Sequence, residues 1–103
     1  MEFIETSLFS KLISEYLSDD EYSALQWMLL ARSDAGKVVS GSGGLRKLRW
    51  AAPGRGKSGG YRVIYYWRDH QGQIWLLTIY AKNEAANIPA HVLREIKKEI
   101  DDD

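Results

Sequence analysis

The sequence predicts an α+β domain in which helices pack on a small antiparallel sheet, and three observations carry that prediction. Apolar residues from Leu8 to Leu29 recur at helical spacing, those from Leu45 to Lys82 run or alternate as in strands, and a last amphipathic stretch follows Pro89. The order is two helices, then strands, then a helix, without the strict strand–helix alternation of a doubly wound parallel sheet. A chain of 103 residues is expected to form a single domain spanning 1–103, and 45% apolar residues suffice for one core without staples.

Met1–Glu5 reads as a short strand or an extended arm. Thr6 or Ser7 can cap a first helix, whose Leu8, Phe9, Leu12, Ile13, Tyr16 and Leu17 make one stripe. Ser18 and Glu21 form an S-x-x-E capping box that starts a second helix, with Tyr22, Leu25, Met28 and Leu29 inward. Asp34, Ala35 and Gly36 end it, and the pair reads as an N-terminal helical hairpin turning at Leu17–Asp19. Ser40–Gly44 is a glycine-serine turn, Leu45–Ala51 a strand and Pro53–Gly60 a glycine-rich basic loop. Tyr61–Arg68, full of β-branched and aromatic residues, is a strand, and Asp69–Gly72 is the hairpin turn after it. In Gln73–Lys82, Ile74, Leu76, Thr78 and Tyr80 alternate with Trp75, Leu77, Ile79 and Ala81. Both sets are apolar, so this strand is expected to be central and covered on much of both faces. After a loop over Asn83–Ile88, Pro89 suits the first turn of a C-terminal helix with Val92, Leu93, Ile96 and Ile100 inward.

A formal net charge of zero conceals a segregation. From Ala35 to Arg68 there is no acidic residue, yet there are Lys37, Arg46, Lys47, Arg49, Arg55, Lys57, Arg62 and Arg68. The carboxylates sit in the flanks, at Asp19, Asp20, Glu21 and the Asp101–Asp103 tail. A solvated basic face is the plain reading of such a segment. Trp50, Tyr61, Tyr65, Tyr66 and Trp67 interleave with the cations, however, and that mixture suits RNA, because cations pair with phosphates and aromatic faces stack on bases. The absence of cysteine excludes disulfides and thiolate metal sites and fits a reducing cytoplasm. The N-terminus has no basic stretch leading into an apolar run, and the apolar runs at Ala24–Ala31 and Ile74–Ala81 are too short or broken to span a bilayer. No membrane role is expected.

Ala51-x-x-x-x-Gly56-Lys57-Ser58 resembles a relaxed phosphate-binding loop. Such a loop needs a helix directly after it, whose N-terminus cradles phosphate. Here Gly59 and Gly60 lead into a strand-forming segment, so nucleotide hydrolysis is not expected. The glycines still let backbone and cations approach a phosphodiester closely.

Three blocks carry a family resemblance. They are Gly43-Gly44-Leu45-Arg46-Lys47-Leu48-Arg49, then Gly54-Arg55-Gly56-Lys57-Ser58-Gly59-Gly60-Tyr61-Arg62-Val63-Ile64-Tyr65-Tyr66, then Leu77-Thr78-Ile79-Tyr80-Ala81-Lys82-Asn83-Glu84. Together they resemble the HigB-type toxins of the RelE/ParE superfamily, over essentially the whole chain. The resemblance implies a ribosome-dependent, metal-independent mRNA endonuclease without a cofactor. It implies a cognate antitoxin with a helix-turn-helix domain as partner, operator DNA being reached only through that antitoxin. It also implies a sheet that carries the site on its concave face, with the helical hairpin behind. By position, Arg62 corresponds to the catalytic arginine of these ribonucleases, and Arg55 and Lys57 to cations that contact substrate phosphates. The Tyr-x-Lys-x-Glu block supplies Lys82, with Tyr80 and Glu84 beside it. Two departures from RelE itself stand out: Asn83 where RelE has a second arginine, and Pro89 where it has a late tyrosine. HigB-type members share them, so activity is still implied while the identity of the acid and base is left open.

RNA cleavage without metal uses the neighbouring 2′-OH as nucleophile. It needs a base near that hydroxyl, cations around the phosphorane and an acid for the leaving 5′-oxygen. Arg62 and the loop cations serve the second need, which is often the largest single contribution. A hairpin turning at Asp69–Gly72 brings Arg62 and the Tyr80–Lys82 end together, where the Pro53–Gly60 loop begins. Arg46, Lys47 and Arg49, with Arg68, are expected RNA contacts. Lys82 is a base if its pKa falls by roughly 2–3 from about 10.4, and otherwise a phosphate clamp. Glu84 and His91 are further proton carriers, with a surface ion pair and a helix-surface histidine as their structural alternatives; His70 sits in a turn. Two other functions compete: a ParE-like inhibitor of DNA gyrase, which needs no catalytic Arg/Lys cluster, and a non-catalytic ribosome- or RNA-binding module.

Overall fold

The computed structural model describes residues 1–51, 60–82, 84 and 88–101. Strand β1 is Glu2–Glu5, helices α1 and α2 are Ser7–Tyr16 and Asp19–Ala31, strands β2 to β5 are Lys37–Val38, Arg46–Trp50, Tyr61–Arg68 and Gln73–Ala81, and helix α3 is Ala90–Asp101. The helix starts follow the caps in the sequence. Thr6 Oγ1 accepts from the N–H of Phe9 at 3.1 Å and donates to the carbonyl of Leu77 at 2.7 Å, which fastens α1 to the sheet. Ser18 and Glu21 make the reciprocal capping box at α2. A single 3-10 turn, Asp69–Gln71, joins β4 to β5, and Gly72 closes it at φ 64°, a conformation glycine adopts without strain.

The sheet has five strands in the order β1-β5-β4-β3-β2. The β2–β3, β3–β4 and β4–β5 pairings are antiparallel, as expected. β1 lies parallel to β5, which makes the sheet mixed and puts β5 between two neighbours. β2, only two residues long, has no period of its own to announce it; it exists because Lys37 and Val38 pair with Lys47 and Arg46.

The sheet separates two clusters. Phe9, Leu17, Leu25 and Leu29 of the helical hairpin segment pack with Leu48, Val63, Tyr65, Ile74, Leu76 and Ile79. Leu93 and Ile100 of α3 pack with Leu45, Ile64, Trp75, Leu77 and Tyr80. The simple alternation expected in β5 breaks between these clusters. Ile64 pairs with Thr78 while the adjacent Tyr65 pairs with Leu76, so Leu77 is one residue too many on β5. This β-bulge resets the period, moving Ile79 to the hairpin face and Tyr80 to the α3 face.

Candidate functional site

Alternation decides which cations meet. In β3 the side chains of Leu48 and Trp50 join the hairpin cluster, so Lys47 and Arg49 lie on the opposite face. Arg49 stands directly across from Arg62 on β4, and Lys37 of β2 directly across from Lys47. Arg62 in turn stands across from Tyr80. Lys82 follows β5 by one residue. An open groove of about 560 Å³ runs over this part of the sheet, lined by Ala35, Lys37, Lys47, Leu48, Arg49, Arg62 and Lys82. Five of those seven are cations, and no carboxylate is among the described lining residues. Like charges directly opposite on a sheet are unfavourable. Two such pairs side by side therefore cost stability and prepare the surface for a polyanion.

Arg62 is the most constrained of the five, at 9% exposure. Its guanidinium makes two long contacts, to the carbonyls of Gly60 at 3.3 Å and Tyr61 at 3.4 Å, and no carboxylate pairs with it among the described residues. Tyr80 beside it is 7% exposed, and its hydroxyl is buried without a hydrogen-bond partner among the described residues. Burial raises the Tyr80 pKa, against a smaller lowering by Arg62, so the phenol keeps its proton. An apolar recess of about 180 Å³ under α3, lined by Val39, Lys47, Ile64, Tyr80, Ile88 and Leu93, adjoins the groove through the shared Lys47.

Glu84 is hydrogen-bonded to α1 and to the end of β5. Its Oε1 accepts from the Tyr16 hydroxyl at 2.6 Å and from the N–H of Ala81 at 2.9 Å. The hydrogen bond from Tyr16 comes first among the causes that lower the Glu84 pKa, and the same bond raises Tyr16 to about 12. The N–H of Glu84 also donates to the carbonyl of Ala81 at 3.0 Å, which closes a turn with Lys82 inside it. Glu84 is thus the clasp of the turn that presents Lys82, and its carboxylate is engaged with α1.

The remaining expected site residues are dispersed. Arg46, on the opposite parity to Lys47, donates to the carbonyls of Asp34 at 3.2 Å and Gly36 at 2.8 Å, and its guanidinium lies 5.8 Å over the Trp67 ring. Arg68 reaches Gln71 Oε1 at 3.4 Å beside the hairpin turn, six residues or roughly 20 Å along β4 from Arg62. Arg55 and Lys57, with the phosphate-loop look-alike around them, lie outside the described residues. His70 and His91 are exposed and line no part of the groove. Four of the five aromatics expected to stack on bases serve the interior instead: Tyr65 is fully buried, and Trp50, Tyr61 and Trp67 pack against the hairpin cluster. Strand alternation sends these four and the groove cations to opposite faces. Tyr66 lies on the α3 face, packed against the second cluster with Lys97 Nζ 4.9 Å over its ring. Lys37, counted only as part of the basic centre, is the groove residue missed; its signal was the absence of any acid from residue 35 to 68.

The architecture and the groove define a small α+β protein with a helical hairpin on one face of its sheet and a cation-lined surface on the other. The RelE toxin family, described as the RelE toxin of the RelE/RelB toxin–antitoxin system, matches residues 5–101. Among solved structures, the chain is similar to an E. coli toxin RelE mutant, with two arginines replaced by alanine, in the free state. That match has a TM-score of 0.58 and 14% identity, and it covers 90% of this chain and 92% of the other. The chain belongs to the RelE toxin family, and its fold is the RelE fold. Membership carries with it a toxin role and a cognate antitoxin. No helix of the described residues is long and apolar enough to cross a membrane.

Proposed function

We propose that this toxin is a ribosome-dependent mRNA endonuclease of the HigB kind, which cleaves by attack of a 2′-oxygen on the adjacent phosphorus. The observation that carries the reading is the groove of Lys37, Lys47, Arg49, Arg62 and Lys82 without a described carboxylate. A phosphodiester gains negative charge on its equatorial oxygens as the 2′-OH gives up its proton and its oxygen bonds to phosphorus, and the P–O5′ bond breaks with the 5′-oxygen taking up a proton, leaving a 2′,3′-cyclic phosphate and a 5′-hydroxyl. Arg62, held by the sheet and unpaired with any described carboxylate, is placed to meet that charge without reorganising. Lys37, Lys47 and Arg49 bind the flanking phosphates, and Lys82 clamps the scissile one from the other side. Glu84, held as a carboxylate by Tyr16, positions Lys82 rather than moving a proton. The ribosome supplies alignment of the message, a contribution that can be worth several kcal/mol.

The test is Arg62→Ala on programmed ribosomes, with RNA ends mapped. Loss of one preorganised donor should slow cleavage by about 100-fold or more. The fold should stand, because the packing of the Arg62 stem and two long hydrogen bonds are lost while repulsion from Arg49 is relieved. Cleavage at the wild-type rate would remove Arg62 from the site; intact RNA even with wild-type protein would reduce the groove to a binding surface.

A further inference from the structure

The surface farthest in character from the groove lies on the other side of the molecule, at the β1 edge. Trp27 of α2 is 72% exposed, and Leu30 and Met1 are exposed with it. Trp27, Leu30, Ser23 and Gln26 form, with Phe3 of β1, a cleft of about 180 Å³. A tryptophan left in water adds little to the stability of the fold, and together with Leu30 and Phe3 around one cleft it forms the contiguous apolar surface that suits a partner. The cleft adjoins an edge strand, since β1 pairs with β5 on one side only. The N–H groups of Glu2 and Thr6 donate inward, to the carbonyls of Gly72 and Leu76. The alternation along a strand then turns the polar backbone of Phe3 and Glu5 outward.

Charge narrows the choice of occupant. β1 and α2 carry Glu2, Glu5, Asp19, Asp20 and Glu21, and neither contains a lysine or arginine. Asp20 lies on the Trp27 face of α2 at a spacing of seven residues. A second copy of this chain brought patch to patch would set these carboxylates against each other. RNA would be repelled outright. A different protein, with an apolar extended segment flanked by basic residues, is complementary on every count.

We propose that the β1 edge and the Trp27–Leu30 face are the docking surface for the antitoxin, which adds a strand to β1 and seats an apolar side chain in the cleft between Phe3 and Trp27. The occupant rests on membership of a toxin–antitoxin family, and the proposal is independent of whether the groove cleaves RNA. The β1 edge lies at the opposite end of the sheet from β2, so a strand added there does not itself cover the cationic groove.

The experiment measures binding of the full-length toxin to its cognate antitoxin by calorimetry, for wild type, Trp27→Glu/Leu30→Glu and Lys47→Glu/Arg49→Glu. The first double variant should bind at least 100-fold more weakly while its affinity for a short single-stranded RNA stays at the wild-type level, which also shows that it is folded. The groove variant should lose RNA affinity and keep antitoxin affinity. In wild type, antitoxin should protect the amides of Phe3 and Glu5 from hydrogen exchange. Unchanged antitoxin affinity in Trp27→Glu/Leu30→Glu, or no protection in β1, overturns the proposal. So does a free toxin that sediments as a dimer and becomes monomeric in that variant, which would make the patch a self-interface.

Discussion

Two buried tyrosines, one on each face of the sheet, should respond in opposite directions to loss of the hydroxyl. Tyr65 accepts from the N–H of Gly36 at 2.9 Å and donates to the carbonyl of Ser33 at 2.7 Å. The approach is so close that a Cβ added to Gly36 would stand 2.8 Å from the Tyr65 ring. In Tyr65→Phe the Gly36 N–H is left buried without a partner, a loss of about 1–3 kcal/mol. At about 4–8 °C per kcal/mol for a domain of this size, a central 2 kcal/mol lowers Tm by roughly 8–16 °C. Tyr80 is nearly as enclosed, yet its hydroxyl has no partner among the described residues, so Tyr80→Phe removes an unsatisfied group and should gain about 1 kcal/mol, raising Tm by roughly 4–8 °C. Calorimetric melting of the two variants beside wild type checks both signs. A fall in Tm for Tyr80→Phe matching that for Tyr65→Phe would refute the reasoning, since it would mean that the Tyr80 phenol is hydrogen-bonded. Because Tyr80→Phe carries no structural loss, its cleavage rate reports the role of the hydroxyl alone.

Further outcomes follow from the same geometry. Lys82→Arg should retain much of the single-turnover cleavage rate and Lys82→Ala should lose most of it, because arginine holds phosphate at least as well; equal, severe losses would make Lys82 the general base. Arg49→Ala should weaken RNA binding and flatten its salt dependence by about one phosphate contact, whereas Arg46→Ala should leave RNA affinity unchanged and lower Tm, a contrast readable by fluorescence titration at several salt concentrations. The Tyr16–Glu84 clasp should contribute stability over a bounded pH range. The Glu84 pKa is lowered, so its contribution is present above the ordinary carboxylate range and lost as pH falls through the folded value. The Tyr16 pKa is raised from 10.0 to about 12, so its contribution is present below pH 10 and lost as pH rises toward 12. Denaturant melts of wild type and Tyr16→Phe across pH should differ inside that window and converge outside it.

The sequence was legible where one local rule sufficed. Thr6, Ser18 and Glu21 marked both helix starts, and the hairpin at Asp69–Gly72 put Arg62 near Lys82. It was illegible where pairing between distant segments decides. β2 has two residues, and β1 finds β5 across most of the chain. The Leu77 bulge, which turns Tyr80 toward Arg62, leaves no trace in a run where both parities are apolar. The separation of Arg46 from Lys47 and Arg49 is different in kind. The two-residue period of a strand already separates position 46 from positions 47 and 49 once Leu48 is known to point inward, so the signal was present in the residues. The aromatics at Tyr65 and Trp67 follow the same rule.

The parallel pairing of β1 with β5 also has a consequence for how the protein is made. Glu2 finds its partner in Gln73, and β5 fills the space between β1 and β4. A nascent chain that has not yet reached β5 has two helices and the three antiparallel strands β2, β3 and β4, but no Lys82, no neighbour for Arg62 at Tyr80, and a first strand with nothing to pair against. Closing so long a loop is also slow compared with forming the local hairpins. The cation-lined groove is therefore among the last parts of the molecule to take shape, completed only after β5 has been made and has slotted between β1 and β4.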